Sequence, residues 1–352
     1  MGDELDLLRA ADPARADDGP WRDGPLHARA ERGLNRLLHS ARTKRARRRL
    51  VLRAEAAVLA LGAALAFTFS DAGSGKAVAM PVALAPRADA PAVPLAELAR
   101  RAEARARTAG AADGPHRGSH LQSWYLSMET GPDAAPPVTV PEERITRWRA
   151  DGSGSELVVA TDPRHPGRPV INDTGGSWHT VNDGKVLHRK TYPAGSADGQ
   201  RQRRLAARTK PPTDPGALRD RLATLYGGGG GEGRGGGDTA GPAGARTPQL
   251  LLALSSLRQE WTPGPRETAA IVRVLADAEG LRPAGAVTDR LGRRGQAYVY
   301  DGPDGGRNAT RQMVILDPRT GQLLGSEITF TKNLPDVRIR SGEVLSYEAW
   351  MP

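Results

Sequence analysis

Between Arg42 and Phe69 a dense basic run (Arg42, Lys44, Arg45, Arg47, Arg48, Arg49 and Arg53) leads directly into an uncharged one, AAVLALGAALAFTF. Basic residues stay on the cytoplasmic side of a membrane, so this order predicts a single span with the amino terminus inside and the carboxyl terminus outside the cell membrane. The uncharged stretch Ala56 to Phe69 is shorter than the ~20 residues that cross a bilayer core comfortably. Extended to Leu50–Ser70 it covers roughly 31 Å at ~1.5 Å per residue. Arg53 and Glu55 then fall at the inner interface, where a long Arg stem can snorkel. Val58, Leu59, Leu61, Leu65, Phe67 and Phe69 contribute about −0.3 to −0.6 kcal/mol each on an insertion scale, a few kcal/mol in all. Two other readings compete. The small residues after the run, ending in Ala77-Val78-Ala79, fit a signal peptide cut after Ala79, but a secretory leader is normally 15–30 residues and more than 50 precede this one. A buried soluble helix is the third reading.

Cysteine is absent, which excludes disulfides, a lipid-modified Cys anchor and Cys-based zinc or redox sites. The formal charge of +10 invites a nucleic-acid reading, yet 44 of the 50 basic residues are Arg in a chain rich in Ala, Gly and Pro. That is the signature of GC-rich codons, and the one dense cluster is explained by membrane orientation, so no nucleic-acid partner is expected.

Ahead of the span, Leu26, Ala30, Leu34, Leu37 and Leu38 recur at helical spacing with Arg29, Arg32 and Arg36 between them. Such a stripe has no domain of its own to bury it. It meets either anionic lipid or a cytoplasmic protein, which makes Leu26, Leu34, Leu37 and Leu38 the candidate partner contacts.

The expected organisation is a cytoplasmic segment over 1–49, a transmembrane helix over 50–70, an Ala/Pro-rich spacer over 71–94 and an exported α+β domain over 95–352. A Gly-rich linker at 227–246 interrupts that domain. Helices are expected over Leu95–Thr108, Pro215–Tyr226, from Thr247 as N-cap with Pro248 at N1, and from Pro265 to Gly280. Strands are expected over His120–Thr130, Arg144–Trp148, Glu156–Ala160, Ala286–Arg290, Gln296–Tyr300, Gln312–Leu316, Gln322–Phe330 and Glu343–Trp350. Asp183-Gly184 is expected to turn a hairpin between Trp178–Val181 and Lys185–Leu187. One antiparallel sheet, curved and packed with helices, accommodates these strands.

Taken as a set, several segments resemble an uncharacterised family of single-span proteins from high-GC Gram-positive bacteria, often encoded beside extracytoplasmic-function sigma factors. They are Asp3 to Arg9, the basic run and span, Pro212-Thr213-Asp214-Pro215-Gly216-Ala217-Leu218, Val287-Thr288-Asp289 with Gly295, Leu316 to Gly325, and Gly342-Glu343-Val344-Leu345-Ser346-Tyr347. The resemblance implies a non-enzymatic regulator with a sigma factor as cytoplasmic partner. More weakly, the order of strands and helices resembles the lipoprotein-carrier half-barrel, which implies the alternative of a surface-anchored carrier of lipid-like ligands.

No chemistry-bearing motif stands out. The seven histidines show no H-E-x-x-H spacing. Gly175-Gly176-Ser177-Trp178-His179 lacks the G-x-S-x-G arrangement of a nucleophile elbow, and neither Gly73-Ser74-Gly75-Lys76-Ala77 nor Gly227–Gly237 ends as a phosphate loop does. Glu129, Glu142 and Glu143 read as a solvated strand face. No catalytic residue, cofactor site or metal site is expected. Trp124, Trp148 and Trp178 are the candidate lining of an apolar groove in the exported domain, the competing reading being that they are core.

Overall fold

The computed structural model describes residues 81–87, 91–110, 113–127, 138–162, 165, 167–174, 177–182, 184–225, 246–302 and 310–351. The Leu50–Ser70 span, the Leu26, Leu34, Leu37 and Leu38 stripe and the Gly227–Gly237 run lie outside them. Among the described residues no helix is long and apolar enough to cross a membrane.

The described chain is α+β, with five helices on a large antiparallel sheet. In chain order the helices are α1 (Leu95–Thr108), α2 (Ala197–Thr209), α3 (Pro215–Leu225), α4 (Thr247–Glu260) and α5 (Pro265–Ala276). The strands are β1 (His116–Ser127), β2 (Val138–Trp148), β3 (Gly154–Ala160), β4 (Ile171–Thr174), β5 (Ser177–Thr180), β6 (Lys185–Tyr192), β7 (Trp261–Thr262), β8 (Arg282–Thr288), β9 (Arg294–Asp301), β10 (Thr310–Leu316), β11 (Leu323–Phe330) and β12 (Val344–Trp350). Across the sheet the order is β6-β3-β2-β1-β12-β11-β10-β9-β8, with β7 paired to β1 and β4-β5 forming a separate ribbon. The segments on either side of the glycine run therefore build one sheet, joined where β1 meets β12 from Leu121↔Trp350 to Tyr125↔Ser346.

Side chains alternate across β1 as a strand requires. Leu121 faces the helices and, with Tyr298, Val314, Leu316, Leu323 and Trp350 of the sheet, belongs to one buried cluster that includes Leu98 and Ala102 of α1, Leu218 and Leu222 of α3, Leu250, Leu254 and Leu257 of α4, and Ile271, Val272 and Leu275 of α5. Fully burying one such side chain is worth ~1.5–3 kcal/mol, so this inner face holds most of the stabilisation. The expected period is visible in α1, whose buried Leu95, Leu98, Ala99 and Ala102 fall at spacings of three and four. The Asp317–Gly321 turn tucks between α1 and α5. A Cβ on Gly321, at φ +74°, would stand 2.9 Å from Val272 and 3.0 Å from Ala102.

The outer face is covered too. Trp124 stacks on Tyr347 with ring centroids 6.3 Å apart. Val287, Val299, Met313 and Ile315 form a second cluster, against which Leu84 packs.

Three expectations need correction. Residues 81–87, placed in the spacer, are part of the domain. Val82 bridges Glu343, Arg87 bridges Ala286, and Leu84 and Ala83 pack on the outer face. An Ala/Pro-rich composition suits a spacer, but here Leu84 and Ala83 find a surface to cover while Val82 stays exposed. The strands around Asp183-Gly184 do not pair with each other: β5 pairs with β4, and β6 runs along β3 from Gly154↔Tyr192 to Ala160↔Lys185. Gly184 serves close packing, since a Cβ there would lie 2.7 Å from Val159 and 3.0 Å from Val170. Finally, the cap of α4 is Arg246. Thr247 is the first helical residue and its hydroxyl donates to Glu279 O at 2.6 Å.

Candidate functional site

Glu143 is expected on a solvated face and is instead fully buried on the outer side of β2. Its strand parity explains this. Glu143 pairs with Gln122 and alternates toward the same face as Ile145, which is buried with Leu157 and Val159. A bare carboxylate there would be costly, and four donors surround it. Oε1 accepts from His120 Nε2 at 2.8 Å and Ile171 N at 3.2 Å. Oε2 accepts from Gln122 Nε2 at 3.0 Å and Val170 N at 2.8 Å. Gln122 extends the hub, donating to Arg168 O at 3.0 Å and accepting from Gly167 N at 2.9 Å. Two strands of the sheet thus hold the 167–171 segment in place through Gln122 and Glu143, with His120 bonded to Glu143.

That segment forms the wall of an open cavity of about 520 Å³, with His120, Ile171, Asn172, Asp173, Val181 and Asn182 among its lining. The hub fixes the orientation of the His120 ring, and the tautomer that donates Nε2–H to Glu143 presents Nδ1 as an acceptor. His120 makes no other side-chain hydrogen bond among the described residues, and 17% of its side chain is exposed. Asp173 is paired with Arg147. Asn182 sits at φ 53°, donating to Pro169 O at 2.7 Å and accepting from Arg168 at 3.0 Å.

The inner face carries a second polar layer. Tyr125 Oη and Gln259 Nε2 donate to Glu348 at 2.8 and 2.6 Å, and Arg144 lies 2.9 Å from Glu142 and 3.4 Å from Glu156. Burial, with Glu348 alongside, pushes the Tyr125 phenol well above its usual range and keeps it protonated. Arg258 is lowered to about 10 by burial and stays charged at neutral pH. The cavity between α4 and this layer measures only about 20 Å³, room for one water.

A third construction joins residues 81–87 to the sheet. Glu327, 1% exposed, accepts from Leu84 N at 2.8 Å and pairs with Arg290. Arg290 in turn donates to Val82 O at 2.8 Å and lies 4.9 Å from the Tyr347 ring. Burial raises the Glu327 carboxyl above its ordinary range, with Arg290 and the Leu84 amide pulling the other way.

The three candidate tryptophans are not brought together. Trp124 is sealed on the outer face against Tyr347. Trp148 lies on the inner face, 4.6 Å from the Tyr192 ring and under Arg117. Trp178 sits on the β4-β5 ribbon beneath Arg147. His120, Gln122 and Glu143 escape sequence reasoning because 23 residues separate His120 from Glu143 and only strand register unites them. The faint signal was a charged residue two positions from Ile145 on the apolar parity of β2. Among the described residues no group of three ligating side chains could hold a metal ion. The chain matches no protein-family model, no curated protein and no solved structure.

Proposed function

We propose that the chain is a non-enzymatic, membrane-anchored regulator whose exported domain is coupled through one span to a cytoplasmic segment that engages a partner protein. The resemblance to sigma-factor neighbours makes a sigma factor the first partner to test. The observation that carries this reading is the clamp on residues 81–87. Ten residues separate the end of the expected span at Ser70 from Pro81, a reach of at most ~35 Å. Beyond them the chain is fastened to the sheet by the buried Glu327–Arg290 pair. A tether fixed so close to the membrane passes a change in the domain to the span, whereas a carrier is served by a loose one. The inner face also favours the regulator over the lipid carrier, because its apolar residues are spent on helix packing and its small cavity is lined by Tyr125, Ser255, Ser346 and Glu348.

The test uses the full chain in native membranes. A reporter active only outside the cytoplasm, fused at Pro352, should give signal, and an amino-terminal tag should fractionate with membrane and co-purify a cytoplasmic protein. Leu34→Glu should abolish that co-purification with insertion intact. Release of a tagged fragment ending near Ala79, or a tag that brings down no protein, would overturn the reading.

A further inference from the structure

From Lys185 to Lys210 the folded domain carries eight Lys or Arg and a single acidic residue, Asp198. Elsewhere on its surface exposed arginines are answered by carboxylates: Arg101 by Glu97, Arg147 by Asp173, and Arg282 and Arg311 by Asp301. Here Asp198 is shared between Lys190 at 3.2 Å and Arg201 at 3.7 Å. Arg203, Arg204, Arg208 and Lys210 are exposed, and among the described residues no ion pair joins their side chains.

Helix α2 turns these charges outward. Its inner side is fastened to the domain: Arg117 donates to Gln202 O at 2.8 Å, Thr209 Oγ1 accepts from Trp261 Nε1 at 3.1 Å, and a Cβ on Gly152 would stand 2.2 Å from Gly199 O. Arg201, Arg204 and Arg208 recur at spacings of three and four along the opposite side, with Arg203 on its flank. Like charges at those spacings repel and weaken a helix. The negative end of the helix dipole offsets this for Arg208 in the last turn, but the effect fades before Arg201 to Arg204. A face that served only solubility would mix both signs. Four arginines held together at a cost to the helix fit a contact that supplies the missing negative charge.

The shape and chemistry of the face select the partner. It is a convex helix surface, and its other exposed residues, Ala197, Gln200 and Ala207, offer nothing larger than alanine to insert into a pocket. No aromatic ring stands on it to stack a nucleic-acid base. A planar array of anionic headgroups asks only for outward charge, and guanidinium forks match phosphate oxygens. We propose that the outer side of α2 docks on a bilayer containing anionic phospholipid, with Arg201, Arg204 and Arg208 against the headgroup phosphates. Only the identity of that bilayer, the one that anchors the chain, rests on the regulator reading.

The absence of cysteine gives a clean probe, since Ala207→Cys places one thiol on this face. Full-length chain labelled there would be combined with vesicles that carry an energy-transfer acceptor on a headgroup. The vesicles would be phosphatidylcholine alone or with ~30 mol % phosphatidylglycerol, and transfer should be about two-fold or more higher in the anionic ones. It should return to the phosphatidylcholine level in ~1 M salt, where screening acts within about 3 Å, and in the triple variant Arg201→Gln, Arg204→Gln, Arg208→Gln. Equal transfer in the two vesicles, or transfer unchanged in the triple variant, would overturn the docking face. Because Gln suits a helix, the triple variant should melt at or above the wild-type temperature; a fall of more than ~5 °C would show that the arginines serve the fold and would also overturn it. Duplex DNA that raises the anisotropy of the label where vesicles draw no transfer would give the face to nucleic acid instead. Attachment to phosphatidylcholine vesicles that survives alkaline carbonate reads the span separately. Its loss with anionic transfer intact sinks the membrane anchor alone, and the converse sinks the docking face alone.

Discussion

Removing one carboxylate should unfasten the 81–87 strap without unfolding the domain. In Glu327→Ala the Arg290 guanidinium loses its ion pair and keeps only Val82 O and the Tyr347 ring, while the Leu84 amide loses its acceptor. Breaking a buried pair on one side costs about 3–5 kcal/mol, and an orphaned amide about 1–3 kcal/mol. The whole sum is not felt, because lifting residues 81–87 lets water reach both groups. The strap's other contacts include the Arg87 N to Ala286 O bond at 2.7 Å, the Val82 bridge and the packing of Ala83 and half-buried Leu84. An effective loss of about 3 kcal/mol raises the open population ~150-fold, at 1.4 kcal/mol per factor of ten. Trypsin cleavage after Arg87 in the full chain reads that population as long as reclosing outpaces cleavage, and should accelerate by two orders of magnitude. The melting temperature of the sheet should drop by only a few degrees. Cleavage at Arg87 within three-fold of wild type, or a domain that melts together with the strap, would refute the reasoning.

The same residue carries a pH signature. Burial raises Glu327 above its ordinary 4.5, so the folded state holds the extra proton between that value and the folded one. Its contribution is fully present below about pH 4.5 and lost as pH rises through the folded value. The melting temperature of Glu327→Gln minus that of wild type should therefore grow with pH across this window, and a flat difference would contradict the shift. Glu143→Gln offers one acceptor oxygen to four donors, leaving at least two unpaired. It should destabilise by about 3–5 kcal/mol in urea unfolding, and a cost below ~1 kcal/mol would show that the hub is looser than described. Gly118→Ala places a Cβ 2.3 Å from Thr146 O at φ +135° and should cost about 3 kcal/mol or more. Gly292→Ala, at φ +80° with open space around it, should cost only the ~1–2 kcal/mol of left-handed backbone; equal effects would mean that the β1–β2 approach is not tight.

Where one face of an element carries a continuous apolar stripe, the sequence is readable. Helices α1 and α5 and strands β9 to β12 declare themselves through period and turn residues such as Asp317 to Gly321. Helix α2 does not, because Arg201, Arg203, Arg204 and Arg208 are exposed and only Gly199 and Thr209 are buried. Local signals around Asp183-Gly184 predicted a turn, and Gly184 N does bond Val181 O at 3.1 Å. Which strands pair is a property of distant edges that no local signal carries. The candidate site was hidden for the same reason. Glu143 looks solvated in a strand with one wet face, but segment 167–171 covers the face that it shares with Gln122.

β12 is the last-made of the described strands and sits in the middle of the sheet, between β1 and β11. Until it arrives, the molecule is two half-sheets, each ending in a raw edge: twelve residues of β1 on one side and eight of β11 on the other. Both edges have hydrogen bonds to gain from any extended segment within reach, including the same strand of a neighbouring copy. A chain made from its amino terminus therefore passes through a vulnerable interval, set by how soon β12 follows β11, with its most aggregation-prone surfaces exposed together. Anything that delays β12 favours exchange between molecules, and keeping copies apart until it docks becomes part of what lets each one close on itself.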